Sequence, residues 1–211
     1  MVEKRMAIHS FDSPYKGSGQ ITREQFLFYE TRTIARLLSQ GMDDSTAIEQ
    51  VISQNLFQYP TERSTRLIAT GCIKRLKALD DPSLIQAIAT QPSDVAKQIC
   101  LYAMMKQYRL IWDFMIVVIG NKYSQQDYSF GRRDVNSFFL QLQEQDDTVA
   151  SWAESTIKKI SSVLVRILVE NEYLDNAKST TLNPVLIGSP LENAIRESGQ
   201  ENALPAFNCF F

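Results

Sequence analysis

From Thr22 onward the apolar residues of this chain recur at helical spacing nearly everywhere, and that property confines the fold to a mainly α architecture. Thr22 is placed to cap a helix over 23–40, with Phe26, Tyr29, Thr33 and Leu37 along its stripe. Gly41 then ends it where a left-handed residue is favoured. Ile48, Val51 and Ile52 mark a short second helix over 45–55. Tyr59-Pro60 interrupts, a third helix covers 61–79, and Asp81-Pro82 starts a short fourth. Pro92-Ser93 introduces a long helix centred on 99–119 whose faces are almost all apolar, the pattern of a helix buried inside a bundle. The acidic pairs Asp43-Asp44 and Asp80-Asp81 both fall at helix starts. Carboxylates there satisfy free backbone N–H groups and suit the helix dipole, so both pairs read as caps and not as a metal or acid–base pair.

A polar stretch over 121–131 marks a boundary in composition. It divides the chain into a flexible leader (1–19), an N-terminal helical bundle (20–125), a smaller C-terminal subdomain (126–199) and a tail (200–211). Within the third part, 132–143 and 148–154 read as helices, 155–173 as a longer one, 174–187 as a small β-hairpin and 191–198 as a closing short helix. Phe207, Phe210 and Phe211 give the tail aromatic groups that can tuck against the body.

Several function classes drop out. The single histidine, His9, lies in the leader, which removes Ser-His-Asp and Cys-His catalysis and most zinc chemistry. Cys72, Cys100 and Cys209 are odd in number and unclustered, which suits a reducing cytosol. Gly17 and Gly19 lack the Gly-Lys-Ser/Thr ending and the preceding strand of a phosphate loop. No enzyme signature, metal site or cofactor site is left. At 211 residues, with 44% hydrophobic and 22% charged composition, the chain can build one well-cored domain or two small ones. Its longest apolar run, 114–119, is far short of the ~20 residues that cross a bilayer. Residues 1–19 are polar and lack a signal-peptide core, so a cytoplasmic location without membrane contact is expected.

Two helices carry a basic edge. On the third, Ile68, Cys72, Leu76 and Leu79 share one face, while Arg63, Arg66, Thr70, Lys74 and Lys77 line the other. Residues 61–79 hold five bases and one acid, a local charge of +4, so the remainder must sum to −6 in a chain of net −2. A short helix, a break and a basic helix form the layout of a helix-turn-helix reader, although a wet helix face is the commoner meaning of such a stripe. Arg75 falls on the apolar flank and needs a partner, for which Glu30 is the candidate in a structural ion pair. The 155–173 helix repeats the arrangement. Ser155, Lys159, Ser162 and Arg166 follow one another at i, i+4, i+7 and i+11, with Lys158 at the edge and Lys178 at the tip of the expected hairpin. Short hydroxyls between bases let a helix approach phosphates and base edges, and helix, helix, hairpin is the winged-helix order. Lys122, Arg132 and Arg133 form a third cluster that either grips backbone between the two modules or keeps a loop soluble. Tyr123, Tyr128 and Phe130 beside it suit either stacking on unpaired bases or anchoring the loop.

The run Phe28-Tyr29-Glu30-Thr31-Arg32-Thr33-Ile34-Ala35-Arg36-Leu37-Leu38, followed by Gly41, resembles the opening helix of the BrxA family of BREX bacteriophage-exclusion systems. Asn55-Leu56, Lys74-Arg75-Leu76 with Leu79, and Tyr108, Leu110, Asp113 and Phe114 are similar to the same pattern. So are Thr156, Lys159, Val163 and Leu164, then Glu170 to Leu174, and Leu204 to Phe207 in place of the family's closing aromatic motif. Glu30, Arg32 and Arg75 match the family's motif positions. The resemblance spans roughly 19–207. It implies a small, all-helical, non-catalytic DNA-binding protein with a likeness to the antitermination factor NusB. It also implies a place in phage defence beside a methyltransferase, an ATPase and a phosphatase-like partner. The family's former description as inner-membrane proteins disagrees with the short apolar runs. The reading is a binder of double-stranded DNA, with a monomer favoured and other BREX components as partners. An RNA-binding NusB-like factor and a protein adaptor are its rivals.

Overall fold

The computed structural model describes residues 12–210. Its helices are α1 (Phe28–Ser39), α2 (Asp44–Ser53), α3 (Glu62–Ala78), α4 (Pro82–Thr90), α5 (Ser93–Gln107), α6 (Arg109–Asp113), α7 (Asn121–Ser124), α8 (Arg132–Gln145), α9 (Asp147–Ala150), α10 (Glu154–Glu170) and α11 (Ser189–Glu197). A π-helix, Phe114–Gly120, joins α6 to α7, and 3-10 segments cover Ser18–Thr22 and Glu201–Phe207. The acidic pairs cap as expected, but Thr22 does not. It ends the 3-10 segment Ser18–Thr22, residues 23–27 run as a non-helical strap, and α1 starts only at Phe28, after Leu27 at φ 51°. Asp43 accepts the Ser45 and Thr46 N–H groups at 2.9 and 3.0 Å, Thr61 Oγ1 accepts Ser64 N–H at 3.2 Å, and Asp81 accepts Ser83 N–H at 2.8 Å. The bonds from Ser45 and Thr46 hold the Asp43 carboxyl well below the ordinary carboxylate range. Gly41 takes φ 87°, as its place after α1 requires.

The long central helix breaks once. Tyr108 adopts an extended conformation (φ −123°, ψ 106°) between α5 and α6, and the chain then re-forms a rod over 109–124. Along α5, Ile99 to Met105 is buried without a gap, so this helix is the axis of the core. α3 and α4 pack on it, α1 lies across α3 and α4, and α2 covers α3. The polar stretch expected to separate two modules becomes α7 and a loop to Gly131, but the core does not stop there. α10 packs on Ser18–Thr22, α11 on α4 and α5, and Glu201–Phe207 on the π-helix.

Both chain ends correct the sequence reading. Residues 12–19, assigned to a flexible leader, dock through buried Tyr15 and Ser18, and Tyr15 Oη donates to Asp113 Oδ2 at 2.8 Å. Residues 1–11, with His9, lie outside the described residues. The tail is core as well: Leu204, Ala206 and Phe207 are fully buried, and Tyr173 Oη donates to the Ala206 carbonyl at 3.0 Å. Gly120 permits this docking, since a Cβ there would stand 3.2 Å from Ala206 N and 3.3 Å from Pro205 Cβ. The expected hairpin over 174–187 does not form. Its residues instead run as an irregular arm that pairs once, antiparallel, at Ser129–Thr181. Leu182 N–H donates to the Tyr128 carbonyl at 2.7 Å and Phe130 N–H to the Thr180 carbonyl at 2.9 Å, so the arm's partner precedes α8 and is not its own return strand.

Candidate nucleic-acid interface

Eight amino acids separate α2 from α3, against the three or four of a tight helix-turn-helix turn. The inner face of α3 buries Ile68, Cys72 and Leu76 as its wheel requires, and Arg63, Arg66, Lys74 and Lys77 are exposed. The four bases differ in company. Arg66 pairs with Glu49 at 2.8 Å, and Lys77 pairs with Asp44, both carboxylates coming from α2. Arg63 and Lys74 have no partner among the described residues. Thr70 turns its hydroxyl back to the Arg66 carbonyl at 2.8 Å, and Leu67, 49% exposed, lies among the bases.

On α10, Ser155, Lys158, Lys159, Ser162 and Arg166 are all exposed, and Ile160, Leu164 and Ile167 are buried opposite. Lys158 pairs with Glu154 one turn earlier at 2.7 Å, which holds the Glu154 carboxyl below its ordinary value. Lys159 has no partner among the described residues. Arg166 donates to Gln25 Oε1 and makes no ion pair among the described residues, with Glu30 and Glu170 lining the same hollow. Ser162 Oγ donates to the Lys158 carbonyl at 2.9 Å. Lys178 is exposed on the arm after α10.

Of the third cluster, Arg132 and Arg133 are exposed, and Lys122 is not available. Its side chain is 12% exposed and bridges Asp127 at 2.9 Å and Asp134 at 3.0 Å. Burial alone would lower the Lys122 ammonium, but its bonds to Asp127 and Asp134 outweigh that and hold it above its usual value. Asp134 Oδ2 also accepts Gly131 N–H at 2.7 Å, so Lys122 clamps the start of α8. Tyr123 and Phe130 are buried, which makes them loop anchors, and Tyr123 Oη donates to the Asn183 carbonyl.

The expected Glu30–Arg75 pair does not form. Glu30 accepts the Tyr59 hydroxyl at 2.6 Å. Arg75, 1% exposed, donates to the carbonyls of Phe26 (3.2 Å) and Glu24, with its guanidinium over the Tyr108 ring at 5.7 Å. Tyr108 Oη in turn donates to Glu24 Oε2 at 2.6 Å. The same short segment thus takes Arg75 of α3 through its backbone and Arg166 of α10 through Gln25. Arg23, exposed two residues from Gln25, is a further base on this strap, at the position where the sequence predicts the first turn of a helix over 23–40 and where the structure has none. On the inner face of α3, burial pushes the Cys72 thiol up to about 11, against the opposing pull of Arg75. No helix among the described residues is long and apolar enough to cross a membrane.

Comparison with known proteins places this geometry in a family. The chain is 37% identical over 158 residues to a "BREX protein BrxA" of Bacillus cereus (strain H3081.97), covering 75% of this chain and 78% of that protein. It is 24% identical to one of Paramagnetospirillum magneticum (strain ATCC 700264 / AMB-1), covering 82% and 86%. With one of Escherichia coli O9:H4 (strain HS) it shares 25% identity, covering 83% and 82%. The crystal structure of an uncharacterized protein from Magnetospirillum magneticum superposes with TM-score 0.74 at 23% identity, over 90% of this chain and 96% of that one, and shows a shared fold. The family model described as BrxA matches residues 14–199, and the chain belongs to the BrxA family.

Proposed function

We propose that the protein is a non-catalytic, cytoplasmic component of a BREX defence system that binds double-stranded DNA. The observation that carries this reading is the α10 row: Ser155, Lys159, Ser162 and Arg166 are exposed on one face, and neither Lys159 nor Arg166 is in an ion pair among the described residues. α10 is the principal reader helix, in a winged-helix-like sense, with Lys158 at its edge and Lys178 on the following arm as flanking phosphate contacts. Arg63, Arg66, Lys74 and Lys77 of α3 are a second grip, and Arg132 and Arg133 add backbone contacts at the start of α8. An acidic body with basic edges favours one docking orientation over indiscriminate coating.

The test is a duplex-binding titration at two salt concentrations. Log K should fall by about 0.9 per neutralised phosphate per log unit of salt, and Lys159→Glu should lower both affinity and slope. Binding of Lys159→Glu and Arg66→Glu as tight as the parent's overturns the reading. Hairpin RNA that competes far better than duplex would make RNA the ligand. A protein-adaptor role is favoured by one observation, the exposed Leu67 among α3 bases already paired to α2. Under that reading low-salt duplex binding is absent and Leu67→Ser releases a protein partner.

A further inference from the structure

Gln25 sits on a piece of chain that is fixed on both sides of it. The carbonyls of Glu24 and Phe26 both accept Arg75, and the Phe26 side chain is buried. Tyr108 Oη donates to Glu24 Oε2 at 2.6 Å. The Glu24 carboxylate rests on the bare backbone of α3 at Gly71, where a Cβ would stand 2.8 Å from Glu24 Oε2. With both neighbours turned toward α3, Gln25 reaches the other way, and its Oε1 accepts Arg166 Nη1 of α10. The buried Arg75 thus sets, through the strap, where the last base of the α10 row lies.

That placement matters because of what else lines the hollow of about 380 Å³ around Arg166. Of its two carboxylates, Glu30 already accepts the Tyr59 hydroxyl at 2.6 Å. Glu170 lies one turn farther along α10, at i+4 from Arg166, and makes no ion pair among the described residues. Residues at that spacing are neighbours on a helix surface, and a carboxylate binds a guanidinium more strongly than a neutral amide does. An Arg166 side chain without its tie to the strap would therefore settle on Glu170. The amide of Gln25 orients the guanidinium and cancels none of its charge.

We propose that Gln25 is a positioning residue of the α10 face: it holds Arg166 out of an ion pair with Glu170, with the remaining guanidinium N–H groups directed to a duplex phosphate. The proposal rests on the duplex-binding reading of α10 and adds to that face a residue from outside the helix. Both length and neutrality count at this position. An alanine there releases Arg166 to Glu170, and a glutamate holds it but neutralises it.

The experiment is a low-salt duplex titration of the full chain and its variants, run as a double-mutant cycle between positions 25 and 170. Arg166→Gln should weaken binding about fivefold, and Gln25→Ala about threefold, the size of an exposed ion pair. Gln25→Glu should lose at least as much as Arg166→Gln. Glu170→Gln should change the parent by less than about twofold, yet restore most of the loss when added to Gln25→Ala. A merely structural role for Gln25 gives no such rescue. Two outcomes overturn the inference and leave the duplex reading standing: an equal effect of Glu170→Gln in both backgrounds, or parent-like binding by both Gln25 variants while Arg166→Gln binds worse. Parent-like binding by Arg166→Gln, or no duplex binding by the parent, overturns the inference together with the part of the reading that it rests on.

Discussion

The two basic helices look alike on a wheel and differ in what stands against them. α3 lies under α2, and Glu49 and Asp44 reach across to Arg66 and Lys77, so half of its four outward bases face a carboxylate. Among the described residues, the carboxylate that pairs with a base of α10 is Glu154, at the first turn, and it takes Lys158. Lys159 and Arg166, farther along, keep their charge toward solvent. A basic stripe on an isolated helix therefore overstates the potential of α3 and describes α10 well. The potential that a phosphate meets is set by the neighbouring element as much as by the stripe itself.

The largest effect that would sharpen this comparison falls inside α3. Arg75→Ala should cost about 2–4 kcal/mol in urea unfolding by leaving the Glu24 and Phe26 carbonyls without their charged donor, while Arg63→Ala on the outer face changes stability little. Next comes the double reversal Lys159→Glu/Arg166→Glu, which should weaken low-salt duplex binding by about thirtyfold (~2 kcal/mol) and flatten its salt slope. The matching pair on α3, Arg66→Glu/Lys77→Glu, should cost only about threefold. Equal losses on the two helices would break the comparison. Smaller still, Glu49→Gln should tighten duplex binding by up to about twofold, since exposed pairs of this kind are worth about 0–1 kcal/mol. Acid provides one more contrast. Ser129 and Lys122 hold the Asp127 carboxyl below its ordinary value, so its support of the loop before α8 is complete above the ordinary carboxylate pKa. That support is lost as pH falls through the lowered native value. Amide exchange in residues 125–131 should quicken there, and Asp127→Asn should show the fast rate at neutral pH.

Much of the fold is legible in the sequence because local chemistry writes it. Asp43 and Asp81 cap where a short polar residue precedes an apolar period, and Gly41 stops α1 where a left-handed residue is needed. The break at Tyr108 and the π-helix are not legible, since a segment apolar on every face has no phase whose shift would reveal a change of winding. Glu30 looked like the partner of Arg75 because sequence reasoning matches side chain to side chain, whereas the true acceptors are main-chain carbonyls carrying no sequence mark. Lys122 read as a surface base for a similar reason: Asp127 is visible five residues on, but its closure over the lysine together with Asp134 is a tertiary event. The candidate site shows the same limit, with the α10 row evident from spacing and the neutralisation of α3 evident only from α2.

The rod over 109–124 receives the chain from both ends, Tyr15 at Asp113 and the Pro205–Ala206 bond at Gly120. Helices α1 to α4 close on one another within the single stretch 28–90, before the rest of the chain is made. The rod's own covering arrives from residues that differ by about 98 positions on one side and 85 on the other. Loop closure of that span is slow relative to helix formation. The rod therefore spends the interval of synthesis after Ser124 with Gly120 and its apolar neighbours uncovered, which is the stretch where misassembly is most exposed. Shortening the chain before residue 207 should trap that state, so the last few residues act as the closing step of folding and not as an appendage to a finished body.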